Sequence, residues 1–334
     1  MRQTLIKYIG FLVLGSLTAA AEKSNDSQLG DDLLRLGYSV AVGRKDRANK
    51  LVLEGVLGEK KRLFLVDTGW GITALDNTAA RGLKTASDLG AVLEDPVLGQ
   101  ITESVVMEKL TLGGSTFLNQ PAAVQKLEMD YLTTEENGVL GCDFLLRNFC
   151  LIDCGFGRLF FRSAARSVEQ TKAMEESLRR EGFIEVSMNR GYGFTVDSKI
   201  KNLGVRWVVD TGAAYSVLDE TQIRRLSLML EKVRAPETGT LVTHDISGRA
   251  AGVGKIGAHK FRVTTPNALQ IGAREWKNVR FEVMNLENWG IGVPGKAWET
   301  VQGMLGEDML ISSGALIDCA GGKLWFRPAK ATPR

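Results

Sequence analysis

The sequence predicts a mostly β protein made of two related lobes with a few short helices. The chain has 334 residues, which is more than one small core usually needs. Its apolar segments are short, rich in β-branched or aromatic residues, and punctuated by Gly, Asn or Asp, as is typical of strands joined by turns. A set of sequence blocks also occurs twice in the same order, which indicates two copies of one structural unit.

The repeat is clearest where Val-Asp-Thr-Gly occurs at residues 66–69 and again at residues 209–212, an offset of 210 − 67 = 143. Gly-Val-Leu-Gly-Cys-Asp at residues 138–143 then matches Gly-Met-Leu-Gly-Glu-Asp at residues 303–308, an offset of 303 − 138 = 165. Because the offset grows, the second half carries extra residues, as surface loops on a duplicated core often do.

The same pattern predicts the individual elements. Three strands are expected over residues 50–56, 62–66 and 205–209. Short helices are expected after each Asp-Thr-Gly, at residues 77–82 and 219–228, and after each of the second blocks. The charged segment 163–181 predicts a helix that connects the two lobes, with a weak counterpart at residues 31–36.

The first 21 residues have the pattern of a signal peptide. Arg2 and Lys7 precede an apolar run, and Ala19 and Ala21 supply the small residues that signal peptidase needs. The alternative is an uncleaved anchor, but the run is short for a span of about 20 residues. We therefore expect cleavage after Ala21 and export to the periplasm or the exterior. The lobes are predicted over residues 22–165 and 166–334, the second including the connecting helix.

Composition argues against several other functions. The net charge is +3 with both signs spread along the chain, so nucleic acid is not indicated as a partner. Only His244 and His259 are present, which leaves little material for histidine metal sites or Ser-His catalysis. Residues 252–257 match a dinucleotide-binding pattern, but no strand-turn-helix unit surrounds them, so a Gly-rich turn is favoured. No metal or cofactor is predicted.

The four cysteines leave two alternatives open. Cys150 and Cys154 would lie about 13 Å apart on an extended strand, too far for a direct bridge. Cys142 and Cys150 would lie about 12 Å apart on a helix. Free buried thiols are therefore at least as plausible as any disulfide among these four residues, Cys319 included.

The repeat suggests a specific chemistry, because each Asp-Thr-Gly places one carboxylate where a strand turns. Two such carboxylates about 3 Å apart would share a proton and hold a water molecule between them. One acid could then activate the water while the other protonates a substrate carbonyl. Asp67 and Asp210 are the candidates. Asp153 and Asp318 are also equivalent in the repeat, but each precedes a Gly-containing turn and is predicted to be structural.

Two Asp-Thr-Gly sequences, each followed by two hydrophobic residues and Gly at 139–141 and 304–306, resemble the aspartic peptidases of the pepsin and retropepsin superfamily. The resemblance covers nearly all the mature chain, and the halves resemble retropepsin-like bacterial proteins more than pepsin. It implies two acid-protease lobes around a central cleft. It also implies a monomeric aspartic endopeptidase that acts on polypeptides through Asp67 and Asp210 without a cofactor.

The resemblance also implies roles for neighbouring residues. Thr68 and Thr211 would interlock beneath the pair, and Gly69 and Gly212 would complete the two turns. Two flaps would cover the substrate, and their tips would lie near Gly99 and Gly248.

One departure from the family pattern concerns the cleft. Trp70 follows the first Asp-Thr-Gly, where Ser, Thr or Ala is usual, whereas the second half has Ala213. The indole is expected either to narrow or block a substrate pocket or to pack away under the flap. An inactive relative that binds peptides or a partner protein is therefore a second hypothesis, and a peptidase that needs a partner to open its flaps is a third.

Overall fold

The computed structural model describes residues 29–46, 50–85, 94–95, 99–100, 103–125, 137–234 and 260–328. The strands of these residues, in chain order, are β1 Ser39–Val42, β2 Arg44–Lys45, β3 Leu51–Leu57, β4 Lys60–Val66, β5 Ala74–Leu75, β6 Lys84–Thr85, β7 Glu94–Asp95, β8 Gly99–Gln100, β9 Ser104–Leu112, β10 Ser115–Val124, β11 Gly138–Leu140, β12 Leu151–Asp153, β13 Arg158–Phe161, β14 Ile184–Ser187, β15 Asn189–Arg190, β16 Phe194–Ile200, β17 Leu203–Val209, β18 Val217–Asp219, β19 Glu231–Arg234, β20 Lys260–Thr264, β21 Ala268–Ile271, β22 Arg274–Lys277, β23 Phe281–Met284, β24 Gly303–Leu305, β25 Leu316–Asp318 and β26 Lys323–Phe326. The helices are α1 (residues 29–35), α2 Asn77–Ala80, α3 Cys142–Arg147, α4 Val168–Arg180, α5 Glu220–Arg225 and α6 Glu307–Ser312, with a 3₁₀ turn at Leu286–Trp289.

The first lobe is an eight-stranded sheet in the order β2-β3-β4-β11-β5-β10-β9-β6. An additional pairing of β3 with β9 curls this sheet back on itself. Gly58 has a φ of 62°, a left-handed conformation that suits glycine, and it turns β3 into β4. At the centre of the sheet β11 runs parallel to β4 and antiparallel to β5.

The second lobe has the same central arrangement in a larger sheet. Its ten strands follow the order β19-β20-β23-β18-β24-β17-β16-β21-β22, and β15 pairs with β16. Here β24 runs parallel to β17 and antiparallel to β18. The strand that ends at each Asp-Thr-Gly is therefore held by a short parallel partner in both lobes.

A third sheet combines strands from both halves in the order β1-β13-β12-β25-β26-β14. At its centre β12 and β25 pair antiparallel, and Ile152 lies opposite Ile317. These two isoleucines are equivalent in the repeat, since 317 − 152 = 165. The centre of this sheet thus lies where the two halves meet.

Two helices cover the six-stranded sheet. Helix α4 buries Met174 and Leu178 against Leu151 and Trp325, and residues of α1 join the same cluster. Ser167 caps α4 because its hydroxyl accepts a hydrogen bond from the N–H of Gln170, and the side-chain oxygen of Gln170 accepts one from the N–H of Ser167.

The predicted fold class is confirmed, with small differences in element bounds. The connecting helix begins at Val168 rather than at residue 163, because Ser167 provides the cap. Helix α2 ends at Ala80, two residues before the predicted end, and α1 includes residues 29–35 rather than 31–36. The predicted signal peptide (residues 1–21), the Gly-rich residues 252–257 and both histidines lie outside the described residues.

Asp153 and Asp318 occupy hairpin turns. Asp153 accepts hydrogen bonds from the N–H of Phe156 (3.3 Å) and from Arg158 (2.5 Å). Asp318 accepts from the N–H of Gly321 (2.8 Å) and from Arg166 (2.5 Å). Each carboxylate thus stabilises its own turn and binds an arginine.

The four cysteines are free, and all are buried. Among the described residues no helix has both the length and the apolar character needed to cross a membrane. Within the same residues no three His, Cys, Asp or Glu side chains come together as a metal site would require.

Candidate active site

Asp67 and Asp210 directly follow strands β4 and β17 and lie at the boundary between the lobes. Val66 and Val209, the last residue of each strand, are fully buried in the core. The N–H of Asp67 donates to the carbonyl of Leu140 at 3.1 Å, and that of Asp210 donates to the carbonyl of Leu305 at 3.0 Å. The short parallel partners β11 and β24 therefore fix the start of each Asp-Thr-Gly turn.

The two threonines interlock across the boundary. The hydroxyl of Thr68 donates to the carbonyl of Val209 at 2.7 Å, and the hydroxyl of Thr211 donates to the carbonyl of Val66 at 2.8 Å. Each hydroxyl also accepts the N–H of the other threonine, at 3.0 and 3.1 Å. Both residues are fully buried, so the turns form one rigid unit.

The glycines of the two turns let each carboxyl group approach the opposite lobe. The N–H of Gly69 donates to Asp67 Oδ1, and that of Gly212 donates to Asp210 Oδ1, both at 2.8 Å. A Cβ on Gly69 would stand 2.4 Å from Cγ of Asp210, and one on Gly212 would stand 2.1 Å from Oδ2 of Asp67. Any larger residue would collide with the opposite carboxyl group, so both positions require glycine.

The two carboxyl groups lie close together, since each one stands against the glycine of the opposite turn. Burial raises the pKa of Asp67 well above its usual range, and the neighbouring charge of Asp210 raises it further. Burial also raises the pKa of Asp210, but the N–H groups of Gly212 and Ala213 and the hydrogen bond from Asp67 oppose this rise. Asp210 accepts two backbone N–H groups and Asp67 accepts one, which favours the negative charge on Asp210 and the proton on Asp67.

The residue that follows Asp-Thr-Gly is large and aromatic in the first lobe and small in the second lobe. The indole of Trp70 is half-buried and packs against Val52, Leu65 and Val139 of the first lobe. Ala213 instead uses its N–H to donate to Asp210 Oδ1 at 3.0 Å. The structure thus places part of the Trp70 indole in an apolar cluster of the first lobe. Its role toward a substrate stays a prediction.

Aromatic residues of the second lobe contact the first turn, which the sequence did not single out. A Cβ on Gly71 would stand 2.1 Å from the ring of Tyr192. The rings of Tyr192 and Trp298 meet edge to face at 5.5 Å. Trp298 lies after Leu286 and before the second repeated block at residues 303–308, in the region where the second half carries extra residues. These extra residues therefore reach the boundary between the lobes.

Buried charges near the pair were also missed. Lys50 is 2% exposed, pairs with Asp46 at 3.9 Å between Nζ and Oδ2, and lowers the pKa of both aspartates of the pair. Glu307 is fully buried and pairs with Lys45 at 3.2 Å. One signal was available in the sequence: a glutamate stands in an apolar block where the repeat-equivalent residue is Cys142.

The predicted flaps are described only in part. Gly99 begins β8 and pairs with Asp95 of β7, so it lies on one arm of a two-stranded hairpin. Gly248 lies outside the described residues.

Comparisons with known proteins give only solved structures of low similarity among the matches described below. No family model and no curated protein matches the chain. A retropepsin-like aspartic protease from Rickettsia conorii is 21% identical, with 43% of this chain and 90% of that chain covered and a TM-score of 0.28. An aspartic proteinase from Irpex lacteus is 12% identical, with 88% of this chain and 98% of that chain covered and a TM-score of 0.47.

The sheets and turns described above define the class of protein. In each of the two lobes a central strand ends at Asp-Thr-Gly, and the lobes share a six-stranded sheet, which is the mostly β, two-lobed architecture that the sequence predicted.

Proposed function

We propose that the protein is an aspartic endopeptidase that hydrolyses peptide bonds with a water molecule held between Asp67 and Asp210. The observation that carries this proposal is that the turns locked by Thr68 and Thr211 bring two buried carboxyl groups together, each against the glycine of the opposite turn. Such a pair holds a base and an acid side by side, and it needs no metal or covalent nucleophile.

The proton positions assign the roles. Ionised Asp210 takes a proton from the water as the water oxygen bonds to the carbonyl carbon, and Asp67 gives its proton to the carbonyl oxygen. The resulting tetrahedral diol collapses when the C–N bond breaks. Asp210 then passes its proton to the leaving nitrogen, and Asp67 recovers one from the diol, which restores the starting state.

The remaining inferences concern the whole protein. We infer that the lobes arose as an internal duplication over residues 22–165 and 166–334, which the matching strand orders around β11 and β24 support. One chain supplies both aspartates, so a monomer would suffice. The signal-like residues 1–21 favour export, and the substrate would then be an exported or envelope polypeptide.

Cleavage of an unfolded protein across acidic to neutral pH, with and without pepstatin, tests the proposal. We expect pepstatin-sensitive cleavage that Asp67→Asn and Asp210→Asn each abolish. Asp197→Asn is the matched control, since Asp197 is an exposed residue paired with Arg206 and should leave cleavage unchanged. A folded protein that binds pepstatin or peptides but cleaves nothing at any pH would instead support the inactive binding relative.

A further inference from the structure

Cys150 and Cys319 face each other at one end of the pairing between β12 and β25. The N–H of Cys319 donates to the carbonyl of Cys150 at 3.1 Å, which extends by one pair the register in which Leu151 lies opposite Asp318. Opposite residues in a hydrogen-bonded antiparallel pair have Cα atoms about 5.5 Å apart. A disulfide joins residues whose Cα atoms are about 4.4–6.8 Å apart, so the backbone separation suits one.

Both side chains point to the same face of the six-stranded sheet. Cys150 and Cys319 belong with Ile152 and Ile317 to the large core cluster, whereas Leu151 belongs to the cluster covered by α1 and α4. Side chains alternate along a strand and opposite residues share a face, so the two thiols lie on the same side of the sheet. Both are fully buried; burial raises the pKa of each thiol, and the neighbouring Cys150 raises that of Cys319 further.

The repeat provides an internal comparison for this pair. Cys154 is equivalent to Cys319, since 319 − 154 = 165, and Ala315 is equivalent to Cys150, since 315 − 150 = 165. The N–H of Cys154 donates to the carbonyl of Ala315 at 2.9 Å, which is the same bond that Cys319 makes to Cys150. One backbone arrangement thus occurs twice in β12 and β25, and only one copy has a sulfur atom on both strands.

The other two thiols have different neighbours. Cys142 lies at the start of α3, and its thiol donates to the carbonyl of Thr68 at 3.1 Å. Cys154 has Ala315 opposite it. We therefore expect both to remain thiols.

We propose that Cys150 and Cys319 form a disulfide that joins the two halves of the chain when the protein folds in an oxidising environment. The oxidant is a small or protein disulfide. The thiolate of one cysteine attacks the oxidant and releases one thiol, and the thiolate of the other attacks the resulting mixed disulfide and releases a second thiol. The protein thus loses two protons and two electrons, which the oxidant accepts. Because both thiols are buried in the folded protein, the exchange occurs before the sheet closes.

The experiment refolds the full chain in parallel, once with reduced and oxidised glutathione and once with dithiothreitol. Each sample is then denatured in iodoacetamide, and its intact mass counts the free thiols. We expect two of the four cysteines to be free in the oxidised sample and all four in the reduced sample. Cleavage on the amino side of Asp153 separates Cys150 from Cys154, and a peptide that links Cys150 to Cys319 should then be detected by mass spectrometry.

Three variants test the pairing, and each removes one buried thiol from the same core. After oxidation Cys150→Ala and Cys319→Ala should each have three free thiols, whereas the matched control Cys154→Ala should have one. Oxidation should raise the melting temperature of the wild type and of Cys154→Ala by roughly 5–10 °C. It should leave the melting temperatures of the other two variants unchanged.

The linkage in the wild type decides the inference even if a variant does not fold. Four free thiols after oxidation, or a link from Cys319 to Cys142 or Cys154 instead of Cys150, would overturn it. The inference is independent of the proposed peptidase activity. A linked protein that cleaves no polypeptide would retain the disulfide and reject the peptidase.

Discussion

The N–H of Thr68 donates to the hydroxyl of Thr211 at 3.0 Å, and the N–H of Thr211 returns the same bond to Thr68 at 3.1 Å. Both hydroxyls then donate to carbonyl groups of the opposite lobe. Because all four bonds are buried, the lobes cannot separate at this point without leaving several backbone groups unpaired.

Replacing either threonine by alanine should therefore destabilise the protein strongly. Thr68→Ala removes one hydroxyl and leaves the N–H of Thr211 and the carbonyl of Val209 without partners. We expect a loss of roughly 2–4 kcal/mol in the free energy of unfolding, measured with urea.

Thr68→Ser is the matched control, since it keeps the hydroxyl, and it should cost about 1 kcal/mol or less. The two alanine substitutions should also be clearly non-additive, because they disrupt one network. Additive losses would show that the two threonines act separately.

The aspartate pair should lower the stability of the folded protein at neutral pH relative to acidic pH. The folded pKa of Asp67 lies above its unfolded value, so its contribution to stability is present at low pH and is lost as pH rises through the folded pKa. Asp67→Asn removes the titrating carboxyl group, so the variant should show neither this loss of stability with rising pH nor cleavage. The melting temperature of the variant, relative to the wild type, should therefore rise between acidic and neutral pH. A constant difference across that range would contradict the raised pKa.

Glu282 should produce a second pH dependence, away from the pair. Burial first, and the charge of Asp308 next, raise its pKa from 4.5 to about 7. Stability from this group is complete below 4.5 and is lost as pH rises through 7, which amounts to at most about 3 kcal/mol at 1.36 kcal/mol per unit.

Glu282→Gln should flatten the decline in unfolding free energy between pH 4.5 and pH 7, measured by urea denaturation at several pH values. Glu185→Gln is the matched control, because Lys323 and Arg179 lower the pKa of Glu185. Glu185 stabilises the wild type above its folded pKa, and this stability is lost as pH falls. Glu185→Gln should therefore change the unfolding free energy on the acidic side of the curve, with the sign opposite to that of Glu282→Gln. Parallel curves for wild type and Glu282→Gln would exclude the raised pKa.

The sequence allowed the turns around Asp67 and Asp210 to be predicted because their signal is local and occurs twice. The charges beneath them could not be predicted in the same way. Lys45 and Glu307 are 307 − 45 = 262 positions apart, and only the packing of two lobes brings them together. A glutamate is usually exposed, so its burial follows from tertiary structure rather than from residue type.

The positions at which the strands begin show the same difference between local sequence signals and tertiary structure. The three predicted strands exist, but β4 begins at Lys60 and β17 at Leu203, two residues before the predicted starts in each case. These first residues are polar or exposed, and they are strand residues only because β3 and β16 pair with them. Cross-strand pairing thus extends a strand beyond its apolar pattern.

Export leads to a prediction about the mature N-terminus. If signal peptidase cleaves after Ala21, the exported protein should begin at Glu22, and intact-mass measurement would detect this. Ala21→Leu is a suitable variant, because a large residue at that position should block cleavage. A retained Met1 on membrane-bound protein would favour the uncleaved anchor.

The last prediction concerns Trp70, whose indole packs against Val52, Leu65 and Val139 and adjoins the turn of Asp67. Since the side chain is only half-buried, Trp70→Ala should cost less than a fully buried indole would, about 1.5–3 kcal/mol in the free energy of unfolding. Because Trp70 directly follows the turn of Asp67 in the sequence, we also expect the same change to enlarge the cleft and to alter which residues are accepted next to the scissile bond. Trp276→Ala is the matched control: its indole is also half-buried, but it belongs to the second lobe and packs against Phe326, at 4.8 Å between ring centroids. Both variants should lower the melting temperature, and only Trp70→Ala should change the cleavage profile on a peptide library. Equal destabilisation with two unchanged profiles would assign Trp70 to packing alone.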